Sequence, residues 1–346
     1  MFRPDLYPEP FMTAIASPHS AASVSLLALL QSTAFATLDQ TGWIAVTGDD
    51  RVRWLNGMTT NSIQQLQPGE GNYNFLLSAQ GRIQGDAYAF AQPDRILLET
   101  DRSRLPAMIE LLDRFIIMDD VELKDITAER DGLLIVGPNV AATLAHIGID
   151  TTGLAPLNLR AIPWQEAEIT LIAAYSPLVP RFELWAGAAT IQALTEALSN
   201  AGAQSVGQAD LEHLRLLEGT PRYGVDIRDR ELPQETEQAR ALHFAKGCYL
   251  GQEIVERIRS RGNVHRAFHA FELVGDLPAP GTALEADGKP VGELTSVAAV
   301  PLPTGVQQLA LGYIRREALE RALPLTYPGG HAKPVVLPIR AVVESL

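Results

Sequence analysis

The sequence predicts an α+β protein that ends in a small β-barrel. Up to about residue 260, strand-like and helix-like segments alternate, and strands follow one another too often for a purely parallel sheet. After Gly262 the texture changes to short strands divided by Pro-Gly and Asp-Gly turns, the pattern of a small barrel or sandwich. The expected divisions are a flexible arm over 1–20, an α+β region over 21–261 and a β-barrel over 262–346.

The elements follow in order. The arm is Pro-rich. The stretch from Ala21 to Ala36 has an apolar middle interrupted by Gln31, and Asp5 and Glu9 outweigh Arg3 ahead of it, so it reads as an N-terminal helix rather than a secretory leader. Trp43 to Val46 is a short β-prone run, followed by the turn Gly48-Asp-Asp50 and one or two helical turns in RVRWLNGMTTN. Tyr73 to Ser78 and Gln84 to Phe90 flank the turn Ala79 to Arg82, and Arg95 to Glu99 adds a third strand of an antiparallel meander. From Arg104 to Phe115, Leu105, Met108, Ile109, Leu112 and Phe115 share one helical face. Thr127 to Val136, Pro138 to Ile147, Glu168 to Ala173 and Arg181 to Trp185 continue the alternation, and the Ala-rich helix from Gly187 to Ala201 stops at Gly202. Strands at Ala267 to Val274, Pro290 to Val297 and Gln308 to Ile314 begin the barrel.

Composition excludes several classes. With 346 residues, 46% of them hydrophobic and 20% charged, the chain can bury a core and fill two or three domains, which rules out a disordered tail or a coiled coil. A net charge of −13, from 28 basic and 41 acidic residues, argues against direct nucleic-acid binding, which relies on a basic field. No run of about 18 apolar residues is present to span a bilayer. The lone cysteine, Cys248, cannot form an intramolecular disulfide or hold a metal cluster within one chain, which fits a reducing, cytoplasmic setting. A monomer with no metal site is expected; His265 and His269 are spaced as a helical pair but fall at a strand start.

The least generic segment is Lys246-Gly247-Cys248-Tyr249-Leu250-Gly251-Gln252-Glu253, just ahead of the helical EIVERIRSRG. A thiol near a helix N-terminus and a lysine has its thiolate stabilised, which makes it nucleophilic near neutral pH. The plainer alternatives are a buried, inert cysteine and a surface pair between Lys246 and Glu253. Arg257, Arg259, Arg261 and Arg266 form a basic patch after it, either a solvated face or a surface for an acidic partner.

KGCYLGQEIVERIRSRGNVHR resembles the signature of the YgfZ-type folate-binding proteins, bacterial relatives of a mitochondrial iron–sulfur assembly factor, which runs K-G-C-aromatic-x-G-Q-E. Leu232-Pro-Gln-Glu235, the segment from Gly48 to Asn61 and SAQGRI at Ser78 to Ile83 are similar to that family as well, so the resemblance covers roughly residues 22 to 346. The wider fold group includes the T protein of the glycine cleavage system, a tetrahydrofolate-dependent aminomethyltransferase. The resemblance implies two ferredoxin-like α+β domains forming a ring around a folate site, then a C-terminal β-barrel. It implies tetrahydrofolate, or a one-carbon-substituted folate, as ligand, and iron–sulfur client or assembly proteins, including tRNA-modifying enzymes, as partners. The alternative it implies is a folate-dependent aminomethyltransferase.

Site residues carry over one by one. Glu183, in Arg181-Phe-Glu-Leu184, matches the T-protein glutamate that binds the pterin ring; a carboxylate accepts two parallel hydrogen bonds from an aminopyrimidine edge. Read alone, Glu183 on an alternating strand is an outward, solvated residue. Arg215 matches a fold-group arginine near the folate, where it could face the glutamate tail, or it is a helix-face arginine paired with Glu212 or Glu218. Asp86 aligns with a T-protein aspartate used in transfer, but Gly85 replaces the first residue of that acidic pair and Arg82 precedes it; alternatively Asp86 ends a strand. Cys248 and Asp86 are thus the candidate catalytic residues, and Glu183 and Arg215 the candidate folate contacts. Asn56, Thr60 and Asn61 could touch a ligand or serve as caps and turns.

Overall fold

The computed structural model describes residues 19–262 and 264–340. The arm expected over 1–20 therefore lies, up to residue 18, outside the described residues. The chain runs through α1 (His19–Gln31), β1 (Ala34–Thr37), β2 (Thr41–Thr47), α2 (Arg51–Met58), β3 (Gly71–Leu77), β4 (Ile83–Ala91), β5 (Ile96–Asp101), α3 (Leu105–Asp113) and β6 (Glu122–Asp125). Next come β7 (Asp131–Val136), α4 (Val140–His146), β8 (Leu159–Trp164), β9 (Ala167–Ala173), β10 (Arg181–Ala186), α5 (Ala188–Asn200), β11 (Gln204–Ser205) and α6 (Gln208–Glu218). A long linker leads to α7 (Gln252–Arg261). The barrel follows as β12 (Arg266–Gly275), β13 (Ala283–Ala286), β14 (Lys289–Leu302), β15 (Gly305–Arg315), α8 (Arg316–Glu320), β16 (Leu325–Tyr327) and β17 (Gly330–Val335).

Three sheets organise these elements. A five-stranded antiparallel sheet has the order β3-β4-β5-β2-β6, a six-stranded sheet the order β11-β1-β7-β10-β9-β8, and β12-β15-β14-β13-β16-β17 close into a barrel. Each of the two open sheets buries one face under its own helices. Leu105, Met108 and Leu112 of α3 pack on Ile44, Leu98 and Ala89 of the first, and Leu194 and Leu198 of α5 pack on Leu133 and Leu184 of the second. Their other faces approach each other through Trp43, Phe90 and Leu97 from one sheet and Leu159, Ile172 and Trp185 from the other. The Trp43 and Trp185 rings meet edge to face at 5.6 Å, a geometry that aromatic quadrupoles favour.

The meander, the α3 face, α5, α7 and the start of the barrel agree with the sequence reading. Several boundaries differ: α3 stops at Asp113, short of Phe115, and β14 runs on to Leu302; two further differences have a visible physical reason. The helix expected from Ala21 to Ala36 ends at Gln31, and Ala34–Thr37 instead pairs antiparallel with β7. Alanine favours helix, but this pairing buries Phe35 in the sheet core, so tertiary packing overrides local propensity. The strand expected to start at Thr127 begins at Asp131, because Thr127–Glu129 forms a 3-10 turn held by Asp125 Oδ1, which accepts from the Thr127 N–H at 2.9 Å.

The linker is fixed to the barrel by buried ions. Asp226 is fully buried; its carboxylate accepts from Arg215, from the Arg222 backbone N–H and from the hydroxyls of Thr295 and Ser296 on β14. Arg266 bonds Glu235 at 2.9 Å and lies 3.4 Å from Glu231, with its guanidinium over the Tyr313 ring. Buried charges need such partners.

Candidate functional site

A cavity of about 740 Å³ lies between the two open sheets and is closed by α6 and the linker. Strand periodicity decides which side chains reach it. On β4, Asp86, Tyr88 and Phe90 line the cavity while Ala87 and Ala89 pack toward α3; Ala87 also borders the cavity. On β5, Glu99 and Asp101 line it while Ile96 and Leu98 join the helix side. On β10, Arg181 and Glu183 line it while Leu184 and Ala186 join the α5 side.

Glu183 is not the outward, solvated residue of the bare strand reading: it is 8% exposed, and its Oε2 accepts from Trp185 Nε1 at 3.0 Å. Burial pushes its carboxyl up to about 7, against the opposing pull of the Trp185 N–H and Arg181. Glu99 faces the same cavity, and burial together with the nearby Glu183 raises its carboxyl well above the ordinary range. Asp86 lies inside β4 rather than at a strand end, and accepts from the Tyr73 hydroxyl at 2.6 Å. Burial raises it to about 6, while Tyr73 and the Arg240 charge pull the other way.

Two of the cavity's arginines are committed to the protein. All five N–H groups of Arg215 are used: two on Glu212 at 2.9 and 2.7 Å, and one each on Asp226, the Thr220 carbonyl and Ser296. Of the pairs considered from sequence, Arg215 thus takes Glu212 and not Glu218. Glu218 instead binds Arg181 Nη2 through both oxygens, at 3.1 and 3.0 Å. Arg240 is different. Its guanidinium lies 4.0 Å from the Tyr73 ring centroid and 3.7 Å from that of Tyr175, and donates to the Tyr88 hydroxyl at 3.1 Å.

The Cys248 segment lies beside this cavity but not in its lining. Cys248 is exposed rather than buried, and no residue from 246 to 253 borders the cavity. The helix end and the lysine are placed differently from the sequence reading. α7 starts at Gln252 with Gly251 as its cap, so Cys248 precedes the first turn, where the dipole effect is concentrated. The Lys246 ammonium donates to the carbonyl oxygens of Asn56 at 2.6 Å, Thr59 at 2.5 Å and Asn61 at 2.8 Å. Burial lowers Lys246 to about 7. Glu253 pairs with Arg257 at 2.7 Å, not with Lys246.

Gly251 has φ +81°, in the left-handed region, and a Cβ there would come within 2.6 Å of the Ser78 carbonyl and 2.9 Å of Leu77. The SAQGR turn and the KGCYLGQE segment, distant in sequence, are therefore packed together. Asn56, Thr60 and Asn61 act inside the protein: Asn56 Oδ1 caps the Ile63 N–H, Thr60 donates to the Ala241 carbonyl, and Asn61 Nδ2 donates to the Tyr73 and Arg240 carbonyls. The basic patch is divided. Arg257 and Arg259 pair with Glu253 and Glu256 on α7, whereas Arg266 turns into the barrel interface.

Sequence reasoning missed Glu99 and Arg240. A signal existed for Glu99, since ILLETD places Leu97, Glu99 and Asp101 on the face opposite Ile96 and Leu98. Arg240 sits in a linker without periodicity, and nothing in the sequence singled it out.

A family model for the GCVT N-terminal domain matches residues 1–246, and one for the CAF17 C-terminal β-barrel domain matches residues 266–340. A chloroplastic protein of Arabidopsis thaliana is 27% identical over 288 residues, 81% of this chain and 65% of that protein, so the chain spans just under two thirds of its length. The tRNA-modifying protein YgfZ of Yersinia enterocolitica is 27% identical over 256 residues, 72% of this chain and 74% of that protein. An aminomethyltransferase of Geobacillus kaustophilus is 26% identical over 322 residues, 86% of this chain and 84% of that protein. The crystal structure of the glycine cleavage system aminomethyltransferase T from Bartonella henselae superposes with a TM-score of 0.80 at 20% identity, covering 92% of this chain and 89% of that one, which shows the shared fold. Among the described residues, no helix is long and apolar enough to cross a membrane.

Proposed function

The chain belongs to the GCVT N-terminal domain family and ends in the CAF17-type β-barrel, and on that premise we propose that it is a cytosolic, tetrahydrofolate-binding protein that supports assembly or repair of iron–sulfur enzymes, tRNA-modifying enzymes among them. One observation carries the reading: the single thiol faces solvent, outside the cavity, on a segment fastened to the residues that build the cavity wall. A thiol so placed is available to a protein partner rather than to the ligand inside.

The cavity fits a folate. Its volume of about 740 Å³ lies in the range of small-molecule sites. Glu183 would accept the two parallel hydrogen bonds of the pterin's aminopyrimidine edge. Tyr88 and Phe90 offer ring faces, and the Arg240 guanidinium on Tyr73 and Tyr175 provides a cation at the wall. Arg215, with its N–H groups committed, would shape this wall and the α6–barrel junction, meeting the folate's glutamate tail only at its edge. The bound folate would supply one-carbon chemistry; the chain's own residues bind it, orient it and exclude water. Lys246, Gly247, Tyr249, Gly251, Gln252 and Glu253 would hold Cys248 for its client.

A second reading, a folate-dependent aminomethyltransferase, is favoured by Asp86, whose carboxyl opens on the cavity under the Tyr73 hydroxyl. It requires Asp86→Asn to abolish turnover of an aminomethyl-lipoyl carrier while Cys248→Ser leaves turnover intact. The experiment for the main reading is equilibrium dialysis of tetrahydrofolate under reducing conditions. Saturable binding by the wild type and at least about tenfold weaker binding by Glu183→Gln is expected; equal binding by both removes Glu183 from the site.

A further inference from the structure

The Trp43–Trp185 contact that joins the two open sheets also brings two acids to one place. Glu99 sits opposite Trp43 in the β2–β5 register, and Glu183 holds the Trp185 N–H. Both carboxyls open on the same cavity from opposing sheets. Glu183 has one fixed donor. Glu99 pairs through its backbone with Trp43 and Tyr88, but among the described residues its side chain has no hydrogen bond and no ion pair, and the arginine of β10, Arg181, is bound to Glu218.

Two carboxyls that share one cavity, one buried and one half-buried, without a cation between them do not both ionise; the pair retains a proton. The Trp185 N–H held by Glu183 favours the ionised form of that carboxyl, whereas the Glu99 side chain has no donor to favour its ionised form, so at neutral pH and above the shared proton resides on Glu99. The cavity end thus presents one acceptor carboxylate and, beside it, one carboxyl O–H donor. Such a pair complements an edge with two neighbouring donors followed by an acceptor. It opposes a 2,4-diaminopyrimidine edge at two points: the ring nitrogen between the amino groups has no hydrogen and turns a lone pair to the Glu183 carboxylate, and the 4-amino group turns a donor to the Glu99 O–H.

We propose that Glu99 is a specificity-determining residue of this cavity, donating to the ligand beside Glu183 and selecting a 2-amino-4-oxopyrimidine edge over a 2,4-diaminopyrimidine edge. The inference rests on the reading of Glu183 as the pterin-binding carboxylate. In it, the 2-amino and N3–H groups donate to Glu183, and the 4-oxo group accepts from Glu99.

Folic acid and aminopterin, which differ at ring position 4 and, with it, in the hydrogen on N3, form the probe pair for titration calorimetry on the full chain. The wild type is expected to prefer folic acid by at least about tenfold. In Glu99→Gln the amide can turn either its N–H or its C=O toward position 4, so the preference falls by at least about threefold, the part set at N3 by Glu183 remaining, while folic acid affinity changes by less than about threefold. Glu99→Ala, which removes the donor without offering an acceptor, weakens folic acid and leaves aminopterin within about threefold of its wild-type affinity. A wild type without preference, or variants that keep the wild-type ratio, overturns the role of Glu99 and leaves the folate reading standing. A wild type that binds neither compound overturns both.

Discussion

The carbonyl oxygen of Asn61 accepts from the Lys246 ammonium at 2.8 Å, in a hydrogen bond that fastens the start of the cysteine segment to the loop after α2. The side-chain amide of the same asparagine donates to the Arg240 carbonyl at 2.9 Å, at the cavity wall. Between these two points the segment is tied again by the His243 N–H, which donates to the Thr60 carbonyl at 3.1 Å, and beyond Lys246 by the Leu250 N–H, which donates to the Gly57 carbonyl at 3.0 Å. The exposed thiol therefore sits on a positioned loop, and its lysine is an anchor.

Lys246→Met deletes one end of three hydrogen bonds and leaves the carbonyls of Asn56, Thr59 and Asn61 without that donor. A loss of about 1–3 kcal/mol in stability is expected, by denaturant titration. Backbone amides from 243 to 250 are expected to exchange faster with deuterium in this variant, while those of the barrel are unaffected.

Gly251→Ala forces a side chain into left-handed backbone and against the Ser78 carbonyl. Strain of about 1 kcal/mol comes from the conformation alone, and the close approach adds to it. The melting temperature is expected to fall by several degrees. Ala at Gly247, where a Cβ meets nothing within 4 Å, is expected to leave it unchanged.

Glu183 links stability to pH. Its carboxyl has an ordinary value of 4.5 and stands at about 7 in the fold, with burial as the main cause. The folded protein thus keeps a proton that the unfolded chain releases, so the contribution is fully present below 4.5 and is lost as pH rises through 7. At about 1.4 kcal/mol per pKa unit, up to about 3 kcal/mol is involved. Without ligand, the stability advantage of Glu183→Gln over the wild type is expected to grow between pH 5 and 8. A constant difference across that range would show that Glu183 is ionised throughout.

Much of the fold could be read from strand alternation and turns: the meander around Ala79 to Arg82, the α3 stripe and the change of texture after Gly262. What could not be read was long-range. Ala34–Thr37 looks helical until β7 is there to pair with it. Likewise, proximity in sequence placed Lys246 beside the thiol, whereas the folded chain offers it three carbonyls about 190 residues away. Asp86 and Glu183 were found through their motifs; Glu99 carries no motif, and although the ILLETD alternation fixes its face of the strand, what that face meets is decided by the opposing sheet. Arg215 has the expected position near the cavity, yet its N–H groups turn to Glu212, Asp226 and the barrel.

The account is tested most directly at Cys248, by expressing the wild type and Cys248→Ser in a bacterial strain lacking its own YgfZ-type protein and assaying an iron–sulfur-dependent tRNA methylthiolation. Rescue by the wild type, and its loss in a Cys248→Ser protein that still folds and binds tetrahydrofolate, is the predicted result. Equal rescue by both would contradict the role of the thiol.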